Sequence, residues 1–230
     1  MKKGMAMGLI ALSLTTVTYA QQTRDTRTNP GTNTSTSGST GGSMNSTMGM
    51  SMNMEELDRM NKEGAAKVAA VTPTSAPLSR ADQNLMKEVA MGGMMQLEIS
   101  RIALEKASTD EVRKIAQAEV EEQTGLSNKL KEIAQAKGMT LPTEMDSKTQ
   151  AMVSRMRNAT GTSFDQMYLR ESGVNGHKML DQVMSRVEKN ASDASMKELA
   201  AAAHPLVITH MQVSQSMLDN MKGSGTSKSR

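Results

Sequence analysis

The sequence has no cysteine and, over 230 residues, only two tyrosines, one phenylalanine and no tryptophan. Without cysteine there can be no disulfide bond, no lipid-modified N-terminal cysteine, and no thiolate nucleophile or metal ligand. The fold must therefore be stabilised by packing alone. Methionine, with 24 residues, is far commoner than the aromatic residues, which predicts a core of adaptable side chains.

The scarcity of aromatic residues and the weak net charge argue against a nucleic-acid partner. The formal net charge is +3, and loss of a leader containing Lys2 and Lys3 but no acid would reduce it to +1. A nucleic-acid-binding protein needs a concentrated basic face and usually aromatic side chains for stacking. The aromatic residues are Tyr19, Phe164 and Tyr168.

Long apolar runs are missing except near the N-terminus. Residues 1–20 combine Lys2 and Lys3 with an apolar run to Leu14 and the sequence Thr18-Tyr19-Ala20, which predicts a secretory signal peptide cleaved before Gln21. A membrane anchor is the alternative, but the run is short and rich in Thr and Ser for a span. We expect an exported protein, periplasmic or outer-membrane associated. After cleavage it would not be an integral membrane protein. The sequence leaves open whether it has a partner in the cell envelope.

Residues 21–53 are rich in Ser, Thr, Gly and Asn and have almost no apolar residue except methionine, which predicts a disordered tether. Thioethers prefer soft ions such as Cu(I) and Ag(I). The alternating methionines at the end of this segment are therefore a candidate soft-metal site, or they reflect the general abundance of methionine. These candidate ligands are Met48, Met50, Met52 and Met54.

Residues 54–78 predict a marginal short helix and a linker. Apolar residues recur at helical spacing between Leu57 and Val71, but Gly64 weakens the helix. Pro73 and Pro77 then end it.

Residues 79–222 predict four long amphipathic helices with one short connecting helix over 146–158. Gly138 should end the second long helix, and Pro205 should kink the fourth. We therefore expect an all-α fold, an antiparallel four-helix bundle, followed by a disordered tail over 223–230. The hydroxyl residues placed to cap the long helices are Ser79, Ser108, Thr162 and Ser192.

Polar residues interrupt the apolar faces of all four long helices. They are Gln96, Glu119, Glu122, Gln123, His177 and His210. Inward carboxylates and imidazoles hold metal ions in helical bundles, so Glu119, Glu122, His177 and His210 are candidate metal ligands.

Two observations argue against that metal site. The Glu-x-x-His element of bundles with paired metal ions is absent. A helix reversal near Ala191 would separate His177 and His210 by about five residues, or roughly 7 to 8 Å along the axis. A hydrogen-bonded buried cluster is the alternative, and the fold itself requires no metal.

The sequence does not favour an enzyme. It has no nucleophile-elbow serine, no phosphate-binding loop after a strand, and no evident set of nucleophile, base and orienting group. Two functions remain: a non-enzymatic structural or interaction module of the cell envelope, and a metal-binding protein.

Four segments together resemble an exported bacterial family of unknown function, number forty-one forty-two among such domains and often labelled predicted outer membrane protein. The resemblance covers residues 79–218 and implies a ferritin-like helical bundle behind a signal peptide, with no established activity. The segments are GGMMQLEISRIALEKAS, VRKIAQAEVEEQTGLSNKLKEIAQAKGMTLP, SFDQMYLRESGVNGHKML and LAAAAHPLVITHMQVSQSML.

The family pattern also implies an acid near residue 96, an Asp-His pair at 122–123, and two further histidines. This chain keeps the histidines as His177 and His210 and an acid as Glu122, but it has amides at Gln96 and Gln123. Neutral amides are poor ligands for transition metals. Glu119, at a position that is usually apolar in the family, is an additional acid.

Overall fold

The structure, a computed structural model, describes residues 54–226, with side chains to residue 222, as an all-α helical bundle. The expected all-α class is thereby confirmed. The predicted signal peptide and tether, with Met48, Met50 and Met52, lie outside the described residues. The elements are α1 (Met54–Ala70), α2 (Arg80–Lys106), α3 (Asp110–Ala136), α4 (Ser147–Asn158), α5 (Gly161–Tyr168), a π segment (Leu169–Gly176), α6 (His177–Asn190) and α7 (Ala194–Thr226).

The helices form two hairpins that pack on each other. α2 and α3 form the first hairpin, while α5, the π segment and α6 run continuously and pair with α7 as the second. α2 contacts α6, and α3 contacts α7. Among the described helices, none is long and apolar enough to cross a membrane.

The core is divided into two apolar clusters along the bundle. One contains Leu85, Leu130 and Met184, and the other contains Ile99 and Phe164. Between the two clusters lies a layer of buried polar side chains. The polar residues that interrupt the apolar helix faces in the sequence belong to this layer.

Three of the four predicted helix caps are wrong, and for two of them the reason is that the serines at the hairpin reversals bind the other hairpin. The backbone N–H and hydroxyl of Ser108 both donate to the Asp165 carboxylate. The same two groups of Ser192 donate to Asp82. An aspartate of each hairpin therefore holds the turn between the two helices of the other hairpin.

The residues that follow these serines cap the helices instead. Thr109 Oγ1 accepts from the N–H of Val112 at 3.4 Å, and Asp193 Oδ1 accepts from the N–H of Met196 at 3.0 Å. Ser79 is confirmed as the cap of α2.

The third long helix departs most from its prediction. Thr162 does not cap it, because α5 begins at Gly161 and Asp165 is engaged by Ser108. The helix then continues in π geometry over Leu169–Gly176, a geometry that is frequent at functional sites. Gly173 lets this segment approach α7, since a Cβ there would lie 2.4 Å from Ser214 Oγ.

α1 is a full helix of the packed body, although its sequence suggested a marginal helix and linker. It packs against α3 and α7 and buries Leu57, Asn61 and Val68. Gly64 makes room for Leu206, whose Cδ1 would lie 2.3 Å from a Cβ at that position. At the other end of the chain, α7 continues to Thr226, so the predicted tail begins as helix.

Candidate metal centre

The polar layer brings together residues from both hairpins. All six predicted residues are buried, and even Glu122, the least buried, exposes only 6% of its surface. The expectation that these positions face the core is confirmed. Their role in metal binding remains a prediction.

Glu119 is the middle of this layer. Its Oε1 atom lies 2.9 Å from His177 Nε2 and 3.0 Å from His210 Nδ1. Glu122 Oε2 lies 2.9 Å from the same nitrogen of His210. We call these four residues the buried centre; the ligand atoms of Glu119 and the two histidines all lie within 4.8 Å of one another.

These short contacts lack the alignment of hydrogen bonds. Among the described residues, Glu119 Oε1 and Oε2, Glu122 Oε2 and His210 Nδ1 have no hydrogen-bond partner of good geometry. Buried polar atoms are rarely left in this way, and such groups are typical of functional sites. Glu119, Glu122 and His210 thus turn unpaired polar atoms towards one another, beside His177 Nε2, which lies 3.4 Å from Gln96 Nε2.

The outward nitrogen of His210 is held by α1. Asn61 Oδ1 lies 2.8 Å from His210 Nε2, and the Asn61 Nδ2 group donates to the Ala118 carbonyl at 3.0 Å. Sequence analysis missed Asn61, although an asparagine between Leu57 and Gly64 on the buried face of α1 was a usable signal.

The outward nitrogen of His177 is held by the π segment. His177 Nδ1 lies 3.0 Å from the Ser172 carbonyl oxygen, which can only accept, and 2.9 Å from Gln96 Nε2, which can only donate, while its Nε2 faces Glu119. Gln96 Nε2 donates to the same oxygen at 3.2 Å, while Ser172 Oγ donates to Gln96 Oε1 at 2.8 Å. Gln96 therefore supports His177 from outside the centre.

The expected axial separation of the two histidines is wrong. The reversal is centred on Ser192, between the end of α6 and the start of α7, which leaves an offset of about three residues or roughly 4.5 Å. Side chains also tilt towards the N-terminus of their helix. His177 therefore leans away from the reversal and His210 leans back towards it, and the ring centroids lie 5.7 Å apart.

Charge pairing sets the protonation of the centre. Burial alone would lower the pKa of His210, but Glu119 and Glu122 raise it to about 10. Burial would raise the pKa of Glu119, but His177 and His210 lower it to about 2. The pKa of His177 is also raised, because the attraction of Glu119 outweighs burial.

The predicted residues Gln123 and Met54, and the third histidine of the chain, lie outside the centre. The Nε2 group of Gln123 donates to Glu122 Oε1 at 3.5 Å. His204 lies between α6 and α7, with its nitrogens 2.9 Å from Glu188 Oε1 and 2.7 Å from Asp181 Oδ1. Met54 is the first residue of α1 and packs against the second apolar cluster.

The four side chains of the centre are shielded from solvent, with at most 6% of any of these residues exposed. A surface groove of about 410 Å³ between α2 and α6 is lined by residues that include Met91, Met179 and Gly176. None of the four residues of the centre lines it or a second groove near α4. The arrangement can accommodate protons or a small cation.

Fold and site together define a helical-bundle protein with a buried carboxylate–imidazole cluster. The chain belongs to the family described as "Domain of unknown function (DUF4142)", whose model matches residues 67–217. A search of curated proteins gave no match.

A solved structure supports the fold alone. The chain is similar to the "Crystal structure of DUF305 fragment from Deinococcus radiodurans", with a TM-score of 0.57 and 11% sequence identity. The similarity covers 63% of this chain and 99% of that chain.

Proposed function

We propose that this protein is an exported, ferritin-like antiparallel four-helix bundle that binds one divalent transition-metal ion at the buried centre. The observation that carries the proposal is Glu119 Oε1, which lies within 3.0 Å of both imidazoles without an aligned hydrogen bond. Converging lone pairs in a buried pocket are the donor arrangement that a cation requires.

The ligand set favours a borderline ion. Two imidazole nitrogens and two carboxylates suit Zn²⁺, Fe²⁺ or Co²⁺, and the absence of thiolate from the set disfavours Cu(I). A tetrahedral ion with bonds of about 2.0 Å holds its ligand atoms about 3.3 Å apart. The contacts of 2.9 and 3.0 Å therefore have to lengthen by about 0.3 Å, which a bundle with a methionine-rich core can accommodate.

Charge balance supports the same conclusion. The raised pKa values of His177 and His210 favour protonated imidazoles that balance the two carboxylates in the metal-free centre. A divalent cation that displaces these protons would neutralise the combined charge of −2 on Glu119 and Glu122 in their place. A buried centre that keeps its net charge at zero avoids the large penalty for an uncompensated ion.

The outward nitrogens support the proposal independently. Histidine ligands of metal ions commonly donate their second ring N–H to a carbonyl or carboxylate, which fixes the tautomer. His177 has the Ser172 carbonyl in that position, and His210 has the amide oxygen of Asn61.

The proposal is tested by counting bound metal. The untagged chain beginning at Gln21 is stripped with a chelator and dialysed in turn against Zn(II), Co(II) and Fe(II). We expect one equivalent, lost in the double variant Glu119→Gln/His177→Gln and retained in Glu121→Gln, which changes an exposed acid of the same helix. Less than about a tenth of an equivalent of every ion would reject the proposal, and a structural module of the envelope would then be the better account.

The soft-metal alternative has its own control. Cu(I) binding is measured on the same chain and on a variant with Met48, Met50 and Met52 changed to leucine. Cu(I) that is lost in this variant, while Zn(II) or Co(II) is retained, would assign a second, separate site to the tether. Cu(I) retained there would reject the tether as its ligand.

Export is tested on the protein in cells. The full chain is expressed in a Gram-negative host and recovered from its periplasm or outer membrane. N-terminal sequencing should give Gln21 as the first residue, since the charge and length pattern of residues 1–20 is that of a cleaved signal. An intact N-terminus in the cytoplasm would contradict this part of the proposal.

A further inference from the structure

α1 lies outside the two hairpins, yet it carries a side chain that reaches the buried centre. Its buried face contains Leu57, Asn61, Gly64 and Val68, so a single amide interrupts an otherwise apolar or small face. A buried asparagine on such a face is unfavourable unless its polar groups are paired. Both ends of the Asn61 amide are paired, with His210 and with Ala118.

These contacts fix the orientation of the amide and of the imidazole. The Ala118 carbonyl can only accept, so it selects the Nδ2 end of Asn61 and turns Oδ1 to His210. Oδ1 can only accept in turn, so His210 Nε2 carries a proton. The nitrogen left for a cation is Nδ1, which is the one beside Glu119 and Glu122.

We infer that Asn61 is a positioning residue of the metal centre, through which docking of α1 sets how tightly the ion is held. This inference rests on the proposed function and adds to it a role for a helix that contains no ligand. Partners of this kind orient the ligating imidazole, and their loss weakens metal binding.

α1 has enough apolar contacts to dock without Asn61. Leu57 and Val68 are almost completely buried, and Leu206 fills the space above Gly64. The following linker is tied down as well, because Thr74 N–H donates to Ser195 Oγ at 2.7 Å. Loss of the Asn61 amide should therefore disturb His210 more than it disturbs the helix.

The experiment compares three variants of the full mature chain with the wild type. Asn61→Leu removes the acceptor, Asn61→Asp keeps an acceptor for His210 but loses the donor to the Ala118 carbonyl, and Leu57→Ala weakens α1 docking without touching the amide. Zn(II) affinity is measured by chelator competition, and the Co(II) absorption spectrum reports the geometry of the ligands. We expect Asn61→Leu to lose about 10- to 100-fold in affinity with an altered spectrum, and Asn61→Asp, which keeps the acceptor for His210, to lose less than Asn61→Leu.

Leu57→Ala separates positioning from packing. It should lower the unfolding free energy while leaving the Co(II) spectrum unchanged. If Leu57→Ala and Asn61→Leu weaken metal binding equally and neither changes the spectrum, α1 acts through packing and the inference is overturned. Unchanged affinity and spectrum in Asn61→Leu would overturn it as well.

A readout on the metal-free protein is independent of metal affinity. The hydrogen-bonded Nε2–H proton of His210 should give a slowly exchanging NMR signal in the wild type and in Asn61→Asp, but not in Asn61→Leu. A signal that persists in Asn61→Leu would contradict the assigned contact. A wild type that binds neither Zn(II) nor Co(II) would reject the proposed function and this inference together, whereas wild-type binding with unaffected variants rejects the inference alone.

Discussion

The two hairpins contribute different kinds of side chain to the centre, and they differ in regularity. The first consists of two uninterrupted helices of 27 residues each, and it supplies both carboxylates. The second contains a π segment and a proline within α7, and it supplies both imidazoles. The two carboxylates therefore lie on a regular α-helix. The two histidines lie in a hairpin whose helices contain a π segment and a proline.

The comparison predicts that the largest single effect comes from Glu119, the residue of the regular hairpin that both histidines share. Glu119→Ala should lower the unfolding free energy of the metal-free protein by about 3 to 5 kcal/mol, because a buried charge network loses its common partner. Urea unfolding followed by circular dichroism measures this. Glu121→Ala, on the exposed face of the same helix, should stay within about 0.5 kcal/mol of the wild type. Equal stabilities of the two variants would show that Glu119 is not the centre of the network.

A pair of glycine substitutions compares the hairpins directly. Gly176→Ala places a Cβ 2.7 Å from Gln96 Oε1 and should destabilise the protein by about 1 to 3 kcal/mol through overpacking. Gly125→Ala, in the regular α3, meets nothing within 4 Å and should stabilise by about 0.5 to 1 kcal/mol through helix propensity. Thermal and urea unfolding check both values. The same sign of change in both variants would contradict the difference between the hairpins.

The strength of the contact between Asp82 and Ser192, which joins the two hairpins, should depend on pH. Burial would raise the pKa of Asp82, but hydrogen bonds from Ser192 and Ser79 lower it below the ordinary value. The carboxylate therefore adds stability above the unfolded pKa of about 3.9, and that stability is lost as pH falls through the lower folded pKa. Asp82→Asn should lose about 1 kcal/mol at neutral pH, and the difference from the wild type should shrink in acid. A difference that grows as the pH falls would have the wrong sign.

The smallest effect is expected at His204, within the irregular hairpin. Burial would lower its pKa, but hydrogen bonds to Asp181 and Glu188 raise it. This contribution is complete below the unfolded pKa of about 6.5 and is lost as pH rises through the folded pKa. His204→Gln should lower the unfolding free energy at mildly acidic pH by about 0.5 to 1 kcal/mol, as for a partly exposed ion pair, and by less in alkali. Urea unfolding across this pH range is the measurement, and a constant difference would exclude the ion pair.

Sequence reasoning succeeded where a pattern is local. The period of apolar residues located the long helices, and the interruptions of that period correctly indicated that Gln96, Glu119 and His210 are buried. The sequence pattern did not indicate which residues contact these buried polar side chains, because a contact such as Asn61 with His210 joins residues 149 positions apart.

The errors share one cause. Ser108 and Ser192 have the spacing of caps, and each has a hydroxyl suited to the task, but an aspartate of the other hairpin takes both of their donors. The π segment was missed for a related reason. Its glycines are useful only when Gln96 and Ser214 are already packed against them.

The sequence alone determined the all-α class, the approximate ends of the long helices and the set of polar residues that turn inward, since these follow from the spacing of side chains along one helix. Tertiary structure decided which atoms meet: that Glu119 lies beside both histidines, that Asn61 selects the proton-bearing nitrogen of His210, and that two serines fasten opposite hairpins. The physical reason is that apolar burial has no direction and fixes only which face turns inward. The pairing of polar atoms depends on distances and angles, and these exist only once separate helices have packed.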